Sequence, residues 1–327
     1  MKIAIAACPT FPVPPIDYGG TERQLDILAR GLAVRGHAVT LLCGPGSECP
    51  VRRVMSSSRS VQAEWENVVW LRGHRAEWDV LFDATTFHYA SCPAGLPPGS
   101  PTVAGMFGDP YRIYPHNEVR NRVYQSQQFA EFCGCPDHPV VGSVIHHDPV
   151  SVPIGDGHGG YVVYLGAIRP EKGVYVAATA CRRLGMVLKV AGLAQSRWRP
   201  YWESFRGVVD FIGPVGGDAK WRLLADAACS VLPVDWCEAG PLTVRESLLV
   251  GTPVVACPLG GLLGDVRDGE NGVLVSREEF AIGLDKALNT KWDRQAIRRS
   301  IISSVDPDQW IEGVLVLLKR AAAGESW

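Results

Sequence analysis

The chain has 327 residues, of which 46% are hydrophobic and 20% are charged, with 32 basic against 34 acidic side chains. This composition indicates a globular protein with ample core, and the length predicts two domains. The balanced charge argues against nucleic-acid binding and against electrostatic attachment to anionic lipid, because both usually require a basic excess.

The first strand is predicted at residues 2–7, an apolar run that Pro9 closely follows and that is too short for a signal peptide. No apolar run approaches the length of a membrane-spanning helix. The ten cysteines show no CxxC pair, and several lie in apolar runs, as small core residues of a reducing compartment do. We therefore expect a cytoplasmic protein.

The first half of the chain alternates apolar β-branched runs with segments of helical periodicity. Further strands are predicted at residues 36–43, 78–83, 101–106 and 140–145, and helices at 21–35 and 118–132. Residues 44–65 are polar and rich in serine, and they predict a loop.

The second half repeats this alternation after a linker rich in Pro and Gly at residues 150–160. Strands are predicted at residues 161–165, 187–191, 208–213, 229–234 and 253–257, and helices at 173–184, 221–228, 242–249, 277–288, 292–304 and 307–322. The pattern predicts an α/β protein with a mostly parallel sheet in each of two domains, residues 1–150 and 151–305.

Two glutamates, Glu238 and Glu246, flank the turn from a predicted strand into the helix at 242–249. Free N–H groups and partial positive charge at a helix start suit a phosphate. The Glu246 side chain tilts toward this helix start, where its carboxylate can accept hydrogen bonds from two neighbouring hydroxyls. Such a crevice suits a nucleotide sugar. The alternative is an ordinary helix start with one glutamate on a solvated face.

Glu238 and Glu246, with seven residues between them and followed by Gly251-Thr-Pro-Val-Val255, resemble the E-x7-E signature of glycosyltransferase family 4. The resemblance implies the GT-B fold, with two Rossmann-like domains facing a central cleft and the last segment, residues 306–327, crossing back as a helix to the first domain. It implies a retaining, metal-independent transfer, with Glu238 over the transferred sugar and Glu246 on the ribose of the nucleotide.

The turn Pro170-Glu-Lys-Gly173 resembles the phosphate loop of the family, in which a lysine and an arginine clamp the donor diphosphate. The resemblance implies this role for Lys172 and Arg169. The family arginine follows the first glycine, where this chain has Ala167, so Arg169 would approach from a different backbone direction. The alternative is a Glu–Lys pair at a helix start with no ligand.

Backbone groups complete the implied donor site. The resemblance assigns phosphate contacts to the turn at Gly240, Leu242 and Thr243, and contacts with the nucleobase to Pro214 and Val215. Pro241 has no N–H, so one donor that the family commonly supplies is missing.

In the first half, Gly19 and Gly20 match the loop that opens the N-terminal domain of the family onto the cleft. Glycines there allow a phosphate or sugar to approach the backbone closely, although a plain tight turn is the alternative. The G-x-G-x-x-G pattern of dinucleotide-binding domains is absent, which disfavours a nicotinamide-dependent oxidoreductase.

The family usually places a histidine after the strand at 101–106, close to the transferred sugar, and this chain has Phe107 there. His88 or His116 could substitute, with a surface or core histidine as the alternative for each.

Two groups of residues resemble metal-binding motifs. Candidate zinc ligands are Cys133, Cys135, His138, His146 and His147. Their spacing matches none of the common structural zinc sites, so we predict no metal site. The D-x-D sequence at residues 306–308 precedes an apolar-periodic helix, with Pro at the first helical position, and is predicted as a helix cap.

These features predict a transferase that moves a sugar from a nucleoside diphosphate sugar, as co-substrate and without a cofactor, to a small-molecule or glycan acceptor. The variant Glu-Ala-Gly loop and short first domain resemble antibiotic-tailoring members such as the avilamycin-type transferases. The alternatives are a sugar-nucleotide hydrolase or epimerase, and a binding subunit with weakened catalysis, which the departures at Phe107, Ala167 and Pro241 suggest.

Overall fold

The computed structural model describes residues 1–16, 18–108, 119–145, 152–193 and 205–327. The chain divides into two compact units, one of Met1–His146 with Asp306–Trp327 and the other of His147–Val305.

The first unit contains a parallel sheet with strand order β3-β2-β1-β4-β5-β6. Its described elements are β1 (Lys2–Ala7), α1 (Gly20–Val34), β2 (Ala38–Cys43), β3 (Arg52–Met55), α2 (Glu64–Gly73), β4 (Val80–Ala84), β5 (Thr102–Met106), β6 (Arg122–Tyr124), α3 (Gln127–Phe132) and α10 (Pro307–Ala322).

The second unit contains a parallel sheet with strand order β12-β11-β10-β7-β8-β9. Its described elements are β7 (Tyr161–Leu165), α4 (Val174–Leu184), β8 (Val187–Ala191), β9 (Val209–Gly213), α5 (Gly217–Ala225), β10 (Cys229–Leu232), α6 (Leu242–Leu249), β11 (Val254–Ala256), α7 (Leu262–Asp265), β12 (Gly272–Leu274), α8 (Phe280–Asn289) and α9 (Arg294–Ile301).

The two sheets share one topology. Each described sheet has six strands, and numbering each from its own first strand gives the order 3-2-1-4-5-6 in both. The order reverses between β1 and β4 in the first unit and between β7 and β10 in the second. Sheets of this kind bind ligands beyond the carboxyl ends of the strands at the point of reversal. The predicted α/β class with two parallel sheets is confirmed.

Helix α10 belongs to the core of the first unit. Its apolar face, with Trp310, Val314 and Leu318, joins the residues of β1 and α1 in one buried cluster. Gly31 of α1 allows close approach, because a Cβ there would lie 2.2 Å from Cδ1 of Ile311. The helix starts at a cap in which the Asp306 side chain accepts a hydrogen bond from the Gln309 N–H at 2.9 Å, so the D-x-D sequence is a helix cap as predicted.

Two predictions in the first unit are wrong. Residues 44–65 contain β3 and the start of α2; β3 is a largely exposed edge strand, so its polar sequence hides its conformation. The helix predicted at 118–132 is replaced, from residue 119 onward, by β6 and α3. Asn121 has a φ of 51°, which interrupts a helix, and the Ser126 side chain caps α3 by accepting from the Phe129 N–H at 3.2 Å.

Smaller corrections concern element ends. The strand predicted at 140–145 is only a single bridge from Val140 to Tyr124. The helix predicted at 221–228 runs over Gly217–Ala225, and the sequence did not predict α7 or β12. Residues 150 and 151 of the predicted linker lie outside the described ranges.

Within the described ranges, no helix combines the length and the apolar character needed to cross a bilayer. No disulfide bond joins any of the ten cysteines, all of which lie in the described ranges.

Candidate active site

The second unit brings Lys172 and Glu238 together where its strand order reverses. Lys172 lies in the loop that follows β7, and Glu238 lies in the loop that follows β10. The Asp235 N–H donates to the carbonyl oxygen of Glu171 at 3.0 Å, which ties the two loops together. This is the place at which a doubly wound sheet binds its ligand.

The Glu238 carboxylate is held by two donors. Its side chain is 8% exposed, and Oε1 accepts from Nζ of Lys172 and, at 2.7 Å, from Nε1 of Trp236. Nζ of Lys172 also lies 4.6 Å from the centre of a Trp236 ring, within the range of a cation–π interaction. The three side chains therefore fix one another's orientation.

Glycines allow these loops to pack closely. Gly173 has a φ of +72°, and a Cβ there would lie 1.9 Å from the carbonyl oxygen of Pro233. A Cβ on Gly260 would lie 2.3 Å from the carbonyl oxygen of Glu238, which also accepts from the Gly261 N–H at 2.7 Å. A side chain at Gly173 or Gly260 would displace the loop carrying Lys172 or Glu238.

Glu246 lies on α6 and is bound by a lysine that the sequence analysis did not identify. Its side chain is 8% exposed, and Oε1 accepts from Nζ of Lys220 at 2.5 Å. Lys220 lies on α5, is 11% exposed, and places Nζ 4.4 Å from the centre of a Trp221 ring. The pair joins residues 26 positions apart, so no local spacing could have indicated it.

Helix α6 starts at Pro241 without a side-chain cap. The N–H groups of Val244 and Arg245 both donate to the carbonyl oxygen of Pro241, at 3.1 and 3.5 Å. The N–H groups of Leu242 and Thr243 come earlier and have no carbonyl acceptor within the helix. Because Pro241 has no N–H, the backbone donors at this end of α6 are the N–H groups of Leu242 and Thr243, next to half-buried Gly240.

The remaining predicted donor-site residues lie at the same sheet edge. Arg169 directly precedes the turn Pro170–Lys172, is 38% exposed, and lies 3.9 Å from Oε1 of Glu171. Pro214 is exposed and Val215 half-buried, directly after Gly213 at the end of β9. The structure thus places every predicted donor-site residue of this unit at the carboxyl ends of strands or on the helix that follows.

In the first unit, Gly19 precedes α1 and Gly20 begins it. Gly19 has a φ of +146°, and a Cβ there would lie 2.8 Å from both Oε2 of Glu22 and Cβ of Pro15. Glu22 is 6% exposed, and burial raises the pKa of its carboxyl to about 7. The first turn of α1, directly after this loop, therefore carries a buried carboxyl group that the sequence analysis did not single out.

His88 lies in a buried polar network at the end of β4. Its side chain is 2% exposed, with Nδ1 3.5 Å from Oδ1 of Asp83, and its φ is 50°. Asp83 accepts from the hydroxyls of Thr85 and Ser91, each at 2.7 Å. Burial acts to raise the pKa of Asp83, but the charge of His88 and these hydrogen bonds hold it below its ordinary value. This setting favours a structural role for His88; His116 lies outside the described residues.

Phe107 is turned toward the core of the first unit. Its ring lies 6.0 Å from the Phe82 ring, centre to centre, and a Cβ on Gly105 would lie 2.9 Å from it. The side chain at the position where the resemblance implies a histidine thus packs against apolar neighbours.

Within the described part of the chain, no group of three or more His, Cys, Asp or Glu side chains is placed to hold a metal ion. Of the candidate zinc ligands, His146 and His147 lie outside that part. The ring of His138 packs against the Tyr124 ring, with 6.0 Å between ring centres.

Comparisons with known proteins match the second unit by sequence and the whole chain by fold. The model of the family described as glycosyl transferases group 1 matches residues 156–303. The chain is 31% identical over 188 residues to D-inositol 3-phosphate glycosyltransferase of Acidothermus cellulolyticus, covering 50% of this chain and 41% of that protein. It is 30% identical over 148 residues to glycogen synthase of Mycobacterium tuberculosis, covering 41% of this chain and 34% of that protein. The chain thus spans less than half the length of these two relatives.

Among solved structures, AviGT4, a glycosyltransferase involved in Avilamycin A biosynthesis, matches with a TM-score of 0.77 and 25% identity over 99% of both chains. Anabaena Alr3699/HepE, solved in complex with UDP, matches with a TM-score of 0.73 and 17% identity over 97% of this chain and 100% of that chain. Residues 156–303 thus match the glycosyl transferases of group 1, and the chain as a whole has the GT-B fold of solved glycosyltransferases.

Proposed function

We propose that the protein is a retaining glycosyltransferase that moves a sugar from a nucleoside diphosphate sugar to a hydroxyl group of a small-molecule or glycan acceptor. The observation that carries the proposal is the arrangement of Glu238 and Glu246. Glu238 lies in the loop before α6 and Glu246 lies on α6, each carboxylate is bound by a lysine, and both residues lie within the segment that matches the family.

The donor would lie across the carboxyl edge of the second sheet. Lys172, with Arg169 nearby, and the N–H groups at the start of α6 would bind the diphosphate. The Glu246 carboxylate would accept hydrogen bonds from the ribose hydroxyls, and the backbone at Pro214 and Val215 would meet the base. A related structure, Anabaena Alr3699/HepE, is solved in complex with UDP and glucose.

The reaction would separate charge at two points. As the bond from the anomeric carbon to the diphosphate breaks, negative charge grows on the leaving oxygen and positive character grows on the carbon. Lys172 has three N–H donors, so it can keep its bond to Glu238 and still donate to a phosphate oxygen. Glu238 would hold the sugar and stabilise the positive character. We propose that the acceptor hydroxyl attacks from the same face and passes its proton to the leaving diphosphate.

This arrangement supports transfer without a metal ion, because a lysine and a helix N-terminus can meet the diphosphate charge. On the acceptor side we propose the loop at Gly19 and Gly20 of the first unit, where a backbone without side chains would admit a sugar or small molecule. The ten free cysteines fit the reducing cytoplasm that we propose as its location.

A second candidate is a binding subunit with weakened catalysis. Half-buried Phe107 packs against the core where the resemblance implies a histidine, and Ala167 is a buried alanine where it implies an arginine. Both changes would remove contacts to the sugar or the diphosphate while leaving the nucleotide site at Glu246 intact.

Measuring the nucleoside diphosphate released from UDP-, GDP-, ADP- and dTDP-sugars, with and without sugar and polyol acceptors, tests the proposal. We expect acceptor-dependent release with one donor, unchanged by EDTA, with the product keeping the anomeric configuration of the donor. Glu238→Gln should lower kcat by about 100- to 1,000-fold, the usual effect of removing one electrostatic contact to a transition state. Release without acceptor would indicate a hydrolase, and no release with any donor would favour the binding subunit.

A further inference from the structure

Lys220 and Glu246 form a buried ion pair between two helices of the second unit. The Nζ to Oε1 distance is 2.5 Å, and the side chains are 11% and 8% exposed. Lys220 lies in the first half of α5, whose N-cap residue is Gly216 and whose first residue is Gly217. Glu246 lies in the middle of α6.

A buried ion pair usually adds little to the stability of a fold. The free-energy cost of removing two charges from water is about as large as the attraction between them, so apolar side chains of similar volume often stabilise the fold equally well. A buried lysine bound to a carboxylate beside a ligand site therefore points to a role in placing that carboxylate.

The pair repeats the arrangement around Glu238. There Lys172 binds the carboxylate and lies 4.6 Å from the centre of a Trp236 ring; here Lys220 binds the carboxylate and lies 4.4 Å from the centre of a Trp221 ring. In both cases an aromatic ring restricts the lysine, and the lysine restricts the glutamate. Because Lys220 binds Oε1 of Glu246, a ligand would bind through the second oxygen, Oε2.

We propose that Lys220 is a positioning residue that holds the Glu246 carboxylate against the ribose, so that the site selects ribonucleoside over 2′-deoxyribonucleoside diphosphates. The inference rests on the proposed function, because it takes Glu246 to be the residue that binds the ribose. A carboxylate fixed at one oxygen can present the other at a constant position, where the 2′-hydroxyl donates to it. A donor without that hydroxyl loses a hydrogen bond to a charged acceptor.

Titration calorimetry with UDP, GDP, ADP and their 2′-deoxy counterparts tests the inference on the full chain. In the wild type, at least one ribonucleotide should bind about tenfold or more tightly than its 2′-deoxy form, as expected for one hydrogen bond to a charged group. Lys220→Met should weaken the ribonucleotide more than the deoxynucleotide and bring their ratio toward one. Lys286→Met is the matched control, because it removes a lysine from an exposed pair with Asp268 in the same unit, and it should leave the ratio unchanged.

A second pair of variants separates positioning from folding. In a Glu246→Gln background, Lys220→Met should produce no further change in the ratio, since Lys220 acts through that carboxylate. Lys220→Gln keeps a polar side chain in the buried site and should also lower the ratio, which provides a test if the methionine variant does not fold.

The outcomes distinguish the inference from the function on which it rests. An unchanged ratio in the folded Lys220 variants, or an equal loss for both forms of the nucleotide, would overturn the positioning role while leaving the nucleotide site in place. Failure of the wild type to bind any of the six nucleotides would overturn this inference, and failure to bind dTDP as well would contradict the proposed function.

Discussion

Lys172 and Arg169, the two cations that we propose for diphosphate binding, differ in how firmly they are held. Lys172 is 19% exposed and binds Glu238. Arg169 is 38% exposed, and its Nη1 lies 3.9 Å from Oε1 of Glu171. We expect Lys172→Met to lower kcat by about 100-fold or more, because a fixed charge stabilises the leaving group without reorganisation. Arg169→Met should have a clearly smaller effect in the same donor-release assay. A larger loss with Arg169→Met would assign the diphosphate to the arginine.

Glu22 gives the first unit a pH-dependent stability. Burial raises the pKa of its carboxyl from 4.5 to about 7, so between these values the folded state binds more protons than the unfolded state. The contribution of Glu22 to the free energy of unfolding is therefore fully present below about pH 4.5 and is lost as the pH rises toward 7. The shift corresponds to roughly 3 kcal/mol of unfolding free energy.

The variant Glu22→Gln isolates this effect, because the amide does not titrate. Urea unfolding at pH 5 and pH 8 should show that the variant gains stability relative to the wild type at the higher pH. Equal differences at the two pH values would show that Glu22 titrates normally. Other groups that titrate cancel in the comparison.

At the scale of elements, the loop carrying Lys172 depends on Gly173. Gly173→Ala would place a Cβ 1.9 Å from the Pro233 carbonyl oxygen, in addition to the strain of a positive φ. Gly185, at the other end of α4, has a φ of +66° with no atom within 4 Å of its Cβ position, which makes Gly185→Ala the matched control.

We expect Gly185→Ala to cost about 1 kcal/mol, the price of the left-handed conformation alone, with activity unchanged. Gly173→Ala should be more destabilising and should also reduce kcat, because Lys172 moves with the loop. Thermal unfolding and donor turnover measure the two effects. Equal behaviour of the two variants would mean that the packing of this loop against Pro233 is unimportant.

The elements show what a sequence can and cannot predict. Helix α6 was predicted with its observed ends because Gly251 and Pro253 stop a helix after Leu249. The helix predicted at 118–132 was wrong because the short strand β6 is specified by pairing with β5, a contact that periodicity does not reveal. In the candidate site, Lys172 was identified from the sequence of its turn, Pro170–Gly173. Lys220 could not be identified from the sequence, because only the packing of α5 against α6 brings it to Glu246.

The chain divides into two compact units, and α10 belongs to the buried cluster of the first. Leu318 is fully buried there, and Leu318→Ala should destabilise this unit by about 2–5 kcal/mol. Val316 on the same helix is 53% exposed, and Val316→Ala should change stability by less than about 0.5 kcal/mol.

Hydrogen exchange resolves this prediction by unit. In Leu318→Ala, amides of β1 and α1 should lose protection, while amides of β7 and β10 should keep theirs. Loss of protection in both sheets would show that the two units unfold as one.

The proposed binding of a nucleoside diphosphate through Glu246 of the second unit underlies both the transferase reaction and the role of Lys220. The most direct measurement is a thermal-shift panel with UDP, GDP, dTDP, ADP and NADP, on the wild type and on Glu246→Ala. A ligand at 100 times its Kd stabilises the fold by about 2.7 kcal/mol. We predict that one nucleoside diphosphate stands out and that its shift is lost in the variant. No shift with any diphosphate, or a shift with NADP alone, would contradict the account.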